Sequence, residues 1–385
     1  MHAARLGALW FGIQVVWTPI LGVVLQAQVS ALAPADAVGR YAVLAGAGAA
    51  VATIVQIAAG VLSDRYRARI GHRRLFYAAG VAVSLPAIVA VTAAPSLTVL
   101  WCATIALQIG MNAAGGPFAA IVGDYVAPER VGRASSWMSV NQFCGSVVGL
   151  VLTIVLHAIA LGIALALLLA AGWWITDRAV APLAGTRSGA PVLRLDANAW
   201  TVIVSRALIN VGFYTLFFFL YFFVRESLGV ADAQTTTGIL FLAFTIAGVG
   251  GAFAAGRPAD QLDKRVVVSI ACAAIALAVG AFAAAPTFPV ALGCAVGAGF
   301  AWGAFFTVDW AIAYAVLPAA ALASAMGVWN LATTLPQVAA PAITKPLVGY
   351  YDAFAYGLGP RIALICVIVE FALGTVLLWR VRIPR

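Results

Sequence analysis

The chain has 385 residues, 64% of them hydrophobic and only 9% charged, with a mean hydropathy of +1.04. A water-soluble fold of that composition would expose more apolar surface than solution tolerates, so lipid is its solvent and a soluble enzyme is excluded. The net charge of +9 would suit nucleic acid only on one face of a soluble fold, whereas here the basic residues lie between apolar runs.

Apolar runs of about 18 or more residues mark helical spans, because roughly 20 helical residues cross the hydrocarbon core. The period-two alternation of barrel strands is missing from them. They predict spans over residues 5–30, 38–62, 75–93, 96–126, 134–156, 158–177, 198–224, 235–258, 266–284, 288–317, 322–344 and 361–380. Ala31-Leu32-Ala33 resembles a cleavage site, but the apolar stretch before it is too long for a signal peptide and holds Trp17 and Pro19. It is therefore read as a retained first span. The thinnest division lies between spans five and six, where His157 and its neighbours interrupt the apolar run.

One extended polar stretch, Thr176 to Asn198, carries Asp177, Arg178, Arg187, Arg194 and Asp196. It divides the chain into a first six-helix bundle (1–176), a cytoplasmic linker (177–197) and a second six-helix bundle (198–385). Gly60-Val61-Leu62-Ser63-Asp64 at the end of span two is echoed by Gly256-Arg257-Pro258-Ala259-Asp260 at the end of span eight. Ala127-Pro128 and the helix reaching Asn141 are echoed by Leu317-Pro318 and the helix reaching Asn330. Such repeats mark duplicated transporter folds. The expected architecture is an all-α membrane protein with twelve transmembrane helices in two pseudo-symmetric bundles. Arg40, Arg225, Lys345 and Arg361 fall on one side of it, Arg206 falls within a span, and every other Lys and Arg falls on the opposite side. The positive-inside rule makes that side cytoplasmic and puts both termini there.

The loop between spans two and three runs from Gly60 through Asp64, Arg65, Arg67, Arg69, Gly71, Arg73 and Arg74. Gly60 lets two helices touch, Asp64 can accept bonds from a helix terminus or an arginine, and the arginines pin the loop to the cytosol. This G-x-x-x-D-R pattern resembles the cytoplasmic signature of the major facilitator superfamily. The longer S-D-R-x-x-x-R-x-G-x-R-R is similar to its glycoside and sucrose symporter branch. Further matches are Asp124 with Pro128 and Gly132, Arg206, Val308-Asp309, and Leu335-Pro336-Gln337. The resemblance implies a latch of Gly60, Asp64, Arg65, Arg69, Gly71, Arg73, Arg74 and Asp124, with a thinner second copy at Asp260, Lys264 and Arg265. His72 stands where the branch more often has arginine. Span two carries Thr53 and Gln56 where sodium-coupled sugar members use aspartates, which counts against sodium coupling.

Charged groups inside spans are costly and are candidates for function. Arg206, Asp309 and Glu370 qualify, and Asp309 is the candidate proton carrier, with Arg206 its ion-pair partner. Arg206 could instead meet Asp124, and a structural ion pair would also explain the two charges. Helical spacing puts Arg206, Asn210 and Tyr214 on one face of span seven, and Trp302, Phe306 and Asp309 on one face of span ten. Gln14 and Thr18 share a stripe on span one, Gln108 and Asn112 on span four, and Asn330, Thr334 and Gln337 on span eleven. The superfamily resemblance implies that spans one, four, seven and ten line a central cavity. Aromatic walls with amides and hydroxyls suit a neutral polar solute such as a sugar, and amphipathic compounds nearly as well.

No G-x-x-x-x-G-K-[ST] phosphate loop occurs, so a primary pump is excluded. Three scattered histidines and five cysteines inside apolar runs supply neither a metal site nor an enzyme's cluster. The expectation is a monomeric secondary transporter of the cytoplasmic membrane without cofactor, whose partners are a small solute, protons and lipid, and not nucleic acid. A receptor or scaffold on the same fold is the alternative of another class.

Overall fold

A computed structural model describes residues 2–181 and 192–383. Arg187 of the expected linker and Arg385 lie outside the described residues. The described chain is helical, without strands. Eleven of its helices are long and apolar enough to cross a bilayer: α1 (Ala8–Leu32), α2 (Gly39–Ile70), α3 (Arg74–Thr92), α4 (Leu97–Tyr125), α5 (Pro128–Val155), α6 (Ala158–Val180), α7 (Ala197–Ser227), α8 (Ala233–Gln261), α9 (Lys264–Ala283), α10 (Phe288–Val316) and, last in the chain, α12 (Leu358–Leu378). Between these last two lies α11 (Leu322–Asp352), whose 31 residues are long enough to span. It is more polar, carrying Asn330, Thr333, Thr334, Gln337 and Lys345 and three prolines, Pro336, Pro341 and Pro346. The protein is an all-α membrane protein on a twelve-helix plan.

Local chemistry sets the helix ends. Gly71 stops α2 in the left-handed conformation (φ 89°), its N–H donating to Arg67 O at 2.7 Å. Ser96, Asp196, Asp232 and Asp263 accept backbone N–H bonds at the starts of α4, α7, α8 and α9. Pro19 cannot donate to the turn before it, and α1 continues through a π-helical turn, Ile20–Val24. The second half repeats this device at Phe223–Ser227, at the end of α7. Only Leu156 and His157 separate α5 from α6, and Ala158 takes a positive φ of 47° to make the turn.

The helices form two compact units, Met1–Arg194 with Leu317–Val328, and Leu195–Val316 with Trp329–Arg385. Inside the first, α2 packs on α4, α3 on α4 and α6, and α1 on α5 and α6. Inside the second, α8 packs on α10, α9 on α10 and α12, and α7 on α12. Pairs α2/α4, α3/α4, α3/α6 and α1/α6 thus recur as α8/α10, α9/α10, α9/α12 and α7/α12. Small residues permit the closest of these approaches, since a Cβ on Gly303 of α10 would collide with the Gly248 carbonyl of α8.

Candidate functional site

In the first unit the loop after α2 is built around Arg73. Its Nη1 lies 2.6 Å from Asp64 Oδ1, its Nε donates to Asp124 Oδ2 at 2.8 Å, and its Nη1 also donates to Ser63 Oγ at 3.0 Å. The side chains of all three groups, Arg73, Asp64 and Asp124, are buried. Burial works against the charge on Arg73, but Asp124 and Asp64 more than offset this and hold its pKa above that of a free arginine.

Asp64 also accepts from the first amides of α11, Ala323 N at 3.2 Å and Ser324 N at 2.8 Å, and from Ser324 Oγ. Those amides have no partner inside their own helix, and its positive end favours a carboxylate. Gly60, one turn earlier on α2, makes the approach possible: a Cβ there would stand 2.5 Å from Ala323 O.

Arg67 reaches Asp124 at 3.4 Å, and Arg74 makes a two-pronged pair with Asp177, at 2.7 and 2.6 Å. Arg65 and Arg69 are exposed. Sequence reasoning missed Arg67 as a partner of Asp124, although a step of three from Asp64 puts it on the buried face, whereas Arg65 and Arg69 lie off that face. At the second copy Asp260 is half-buried, and Arg265 pairs with Asp263 at 2.6 Å beneath Trp379.

On the first unit's polar stripes, Thr18 shares a hydrogen bond with Ser146 at 2.8 Å. Asn112 donates to Gln108 O and Oε1 at 2.8 and 3.2 Å, and Gln14 is half-buried on α1.

In the second unit Arg206 of α7 pairs with Asp309 of α10, Nε to Oδ2 at 2.8 Å, with 6% and 5% of the side chains exposed. Of the two partners open to Arg206 in the sequence, Asp309 holds it, while Asp124 is taken by Arg73 and Arg67. Arg206 Nη1 donates to Trp329 O at 2.9 Å, and the guanidinium lies 4.8 Å from the Trp329 ring centroid. Asn210 donates to Arg206 O at 2.9 Å.

Two turns along both helices from the ion pair, Phe213 stacks on Trp302, with centroids 4.2 Å apart and planes 9° from parallel. Gln337 donates to the Tyr214 hydroxyl at 2.9 Å. Phe306 packs near Trp302, and Thr334 donates to Asn330 O at 3.4 Å. The spacing thus brings Arg206, Asn210, Tyr214, Trp302, Asp309 and Gln337 into one neighbourhood. Glu370 sits apart from the pair, with Oε1 accepting from Thr215 at 3.3 Å and Oε2 without a hydrogen-bond partner among the described residues. Thr215 bore no signal in the sequence, because its role depends on packing between distant helices.

The family profile described as the Major Facilitator Superfamily matches residues 6–341. No curated protein matches the sequence. Among solved structures, the fold is similar to the human organic anion transporter MFSD10 (TETRAN), with TM-score 0.73, 15% identity and 98% of each chain covered. It is similar to a bacterial homologue of the iron transporter ferroportin in an outward-facing state, with TM-score 0.70, 15% identity and 99% of each chain covered. The proton:xylose symporter XylE, bound to 6-bromo-6-deoxy-D-glucose, gives TM-score 0.67 at 14% identity over 98% of this chain and 94% of that one. At such identities these likenesses bear on the fold alone; the family profile, spanning most of the sequence, adds the lineage, and the chain belongs to the major facilitator superfamily.

Proposed function

We propose that the chain is a secondary active transporter that moves a small solute across the cytoplasmic membrane by alternating access, with Asp309 carrying a coupling proton. The observation that carries this reading is the buried ion pair of Arg206 and Asp309, 2.8 Å apart in the interior of two spans. Taking two charges out of water costs several kcal/mol each, and apolar residues of similar volume often stabilise as well, so stability alone is a poor reason to keep them. A proton on Asp309 removes the charge that holds Arg206, and α7 and α10 are then free to shift; loss of the proton restores the pair. The proton's affinity therefore differs between conformations, which is what coupling requires. Glu370 is the second titratable group in this role, and its unpaired Oε2 leaves room for a proton. The Asp64, Arg73 and Asp124 cluster acts as the latch that holds one conformation and is remade in each cycle.

The favoured solute is a sugar or glycoside taken up with the proton. Tyr214, Gln337 and Asn210 offer hydroxyl and amide groups beside the rings of Trp302 and Phe306, and XylE lends the analogy of a proton-driven sugar carrier on the same fold. One observation favours a second reading, proton-driven export of amphipathic compounds: Phe213, which stacks on Trp302, also lines a wholly apolar cleft with Phe217, Phe241, Phe244 and Phe282. Orientation follows from the basic residues, with both termini cytoplasmic, and the working unit is the monomer.

Proteoliposomes under an imposed pH gradient test this reading. Accumulation of a labelled sugar that collapses with an uncoupler supports import, and extrusion of a cationic dye supports export. A protein that binds solutes but moves none of them, with no current or pH change, is a receptor on this fold.

A further inference from the structure

The two units repeat their helix pairings, and one corner of the repeat is filled in one unit and open in the other. In the second unit Arg361, the fourth residue of α12, reaches back to the ends of α9 and α7. Its Nη1 donates to Ala283 O at 2.6 Å, its Nη2 donates to Ser227 O at 3.1 Å, and the guanidinium lies 5.6 Å from the Phe223 ring centroid. Ala283 is the last residue of α9, and Ser227 the last of the π-helical turn that closes α7. Helix C-terminal carbonyls lack partners within their helix and carry the negative end of its dipole, so they suit a cation.

The first unit builds the same corner from similar parts, except that its π-helical turn lies within α1, which runs on to Leu32, so only the end of α3 leaves helix-terminal carbonyls there. Its α3, counterpart of α9, ends at Thr92, and α1, counterpart of α7, has its own π-helical turn at Ile20–Val24. The fourth residue of α6, where α12 has Arg361, is Leu161. What the arginine fills in the second unit is here a cavity of about 300 Å³. That is the lower end of the size of small-molecule sites.

Its polar lining is rich in acceptors. Gln28 Nε2 donates to Thr92 O at 2.6 Å, the counterpart of the Arg361 bond to Ala283, which turns the amide's Oε1 into the group left over. The hydroxyls of Thr92 and Thr153 donate to Val89 O and Leu150 O, at 3.1 and 2.7 Å, leaving oxygen lone pairs. His157 is exposed among the lining residues, and among the described residues no Asp, Glu, Lys or Arg lines the cavity. Ala158, also in the wall, holds a left-handed conformation that the matching turn before α12 gives to Gly357 (φ 81°).

We propose that this pocket, at the end of the first unit opposite the Gly60 to Arg74 loop, binds a small organic cation with N–H donors, of the guanidinium or primary ammonium class. The bound cation takes the space that the Arg361 side chain fills in the other half and donates to Gln28 Oε1 and the threonine hydroxyls, Gln28 keeping its bond to Thr92 O, with Val24 and Leu161 as apolar walls for a short alkyl group. Such a cation is either a dissolved solute or the ethanolamine headgroup of a lipid.

Calorimetric titration of the full chain in phosphatidylcholine nanodiscs with methylguanidinium tests the site, with urea and tetramethylammonium as the neutral and donor-free comparators. The expected result is saturable binding of methylguanidinium only, lost in Leu161→Arg, which supplies the missing side chain, and weakened about tenfold in Gln28→Leu. Where Leu161→Arg does not fold, Gln28→Leu decides. No binding of methylguanidinium, equal binding of urea, or unchanged affinity in Gln28→Leu overturns the proposal. Competition on adding phosphatidylethanolamine identifies the headgroup as occupant, and unchanged affinity identifies the solute.

Discussion

Arg73 and Asp124 meet at 2.8 Å with neither side chain more than 2% exposed, and the same guanidinium reaches Asp64 at 2.6 Å. One cation thereby bridges two buried carboxylates from two helices. Arg73→Ala leaves Asp64 without a cation and Asp124 with only the longer Arg67 contact at 3.4 Å, and the expected loss is roughly 3–5 kcal/mol of stability, read as a lower unfolding temperature of the purified protein. Arg73→Lys does not restore it, because an ammonium cannot span both partners in a fixed fork. The pKa of Arg73 is raised in the fold, so its contribution is complete below the value of a free arginine and is lost only above it. Between about pH 6 and 9 the cost of Arg73→Ala should therefore not vary through Arg73 itself.

Gly60 sits where a Cβ would press on the backbone of Ala323, 2.5 Å from O and 2.9 Å from C. Backbone cannot yield as a side chain can, so Gly60→Ala must move α2 or the start of α11 and stretch the Asp64 bonds to Ala323 and Ser324. Overpacking of this kind costs about 1–3 kcal/mol. Melting and transport should both fall in Gly60→Ala, and wild-type behaviour in both assays would refute the close approach.

Ala158 carries a side chain in the left-handed region at φ 47°. That conformation costs a residue with a Cβ roughly 1–2 kcal/mol, which glycine avoids. Ala158→Gly should raise the unfolding temperature slightly, against the usual trend for glycine at a helix start; a clear drop would show that the strain is not there.

The twelve-helix plan was legible because lipid demands long apolar runs, and these are local in sequence. The break at His157, two residues between α5 and α6, was readable from one polar interruption. Within the site, Arg206, Asn210 and Tyr214 could be placed together because helical spacing is also local. What the spacing could not supply was partner choice between distant segments. Arg206 had two candidate carboxylates, Asp309 and Asp124, and only the packing of α7 on its neighbours assigns the first. Arg74 and Asp177 lie 103 positions apart, and the Trp329 carbonyl that anchors Arg206 bears no mark in sequence, since every residue has one. Arg67 was the exception, overlooked although its step from Asp64 placed it on the buried face.

Arg206 has three anchors, Asp309, the Trp329 carbonyl and the Trp329 ring. Arg206→Lys keeps the charge and gives up the fork and the stack, so transport should fall by an order of magnitude or more while the protein still folds. Arg206→Ala leaves Asp309 buried without its cation and should cost stability as well, which separates positioning from charge.

Asp309 is the proposed carrier of the coupling proton. The most direct measurement of that role is solute movement in proteoliposomes holding Asp309→Asn, assayed in two ways: accumulation driven by a pH gradient, and exchange of labelled for unlabelled solute at equal concentrations. Accumulation is expected to be lost and exchange kept, because the neutral amide mimics one protonation state permanently. Proton-driven accumulation at the wild-type rate in Asp309→Asn would contradict that role.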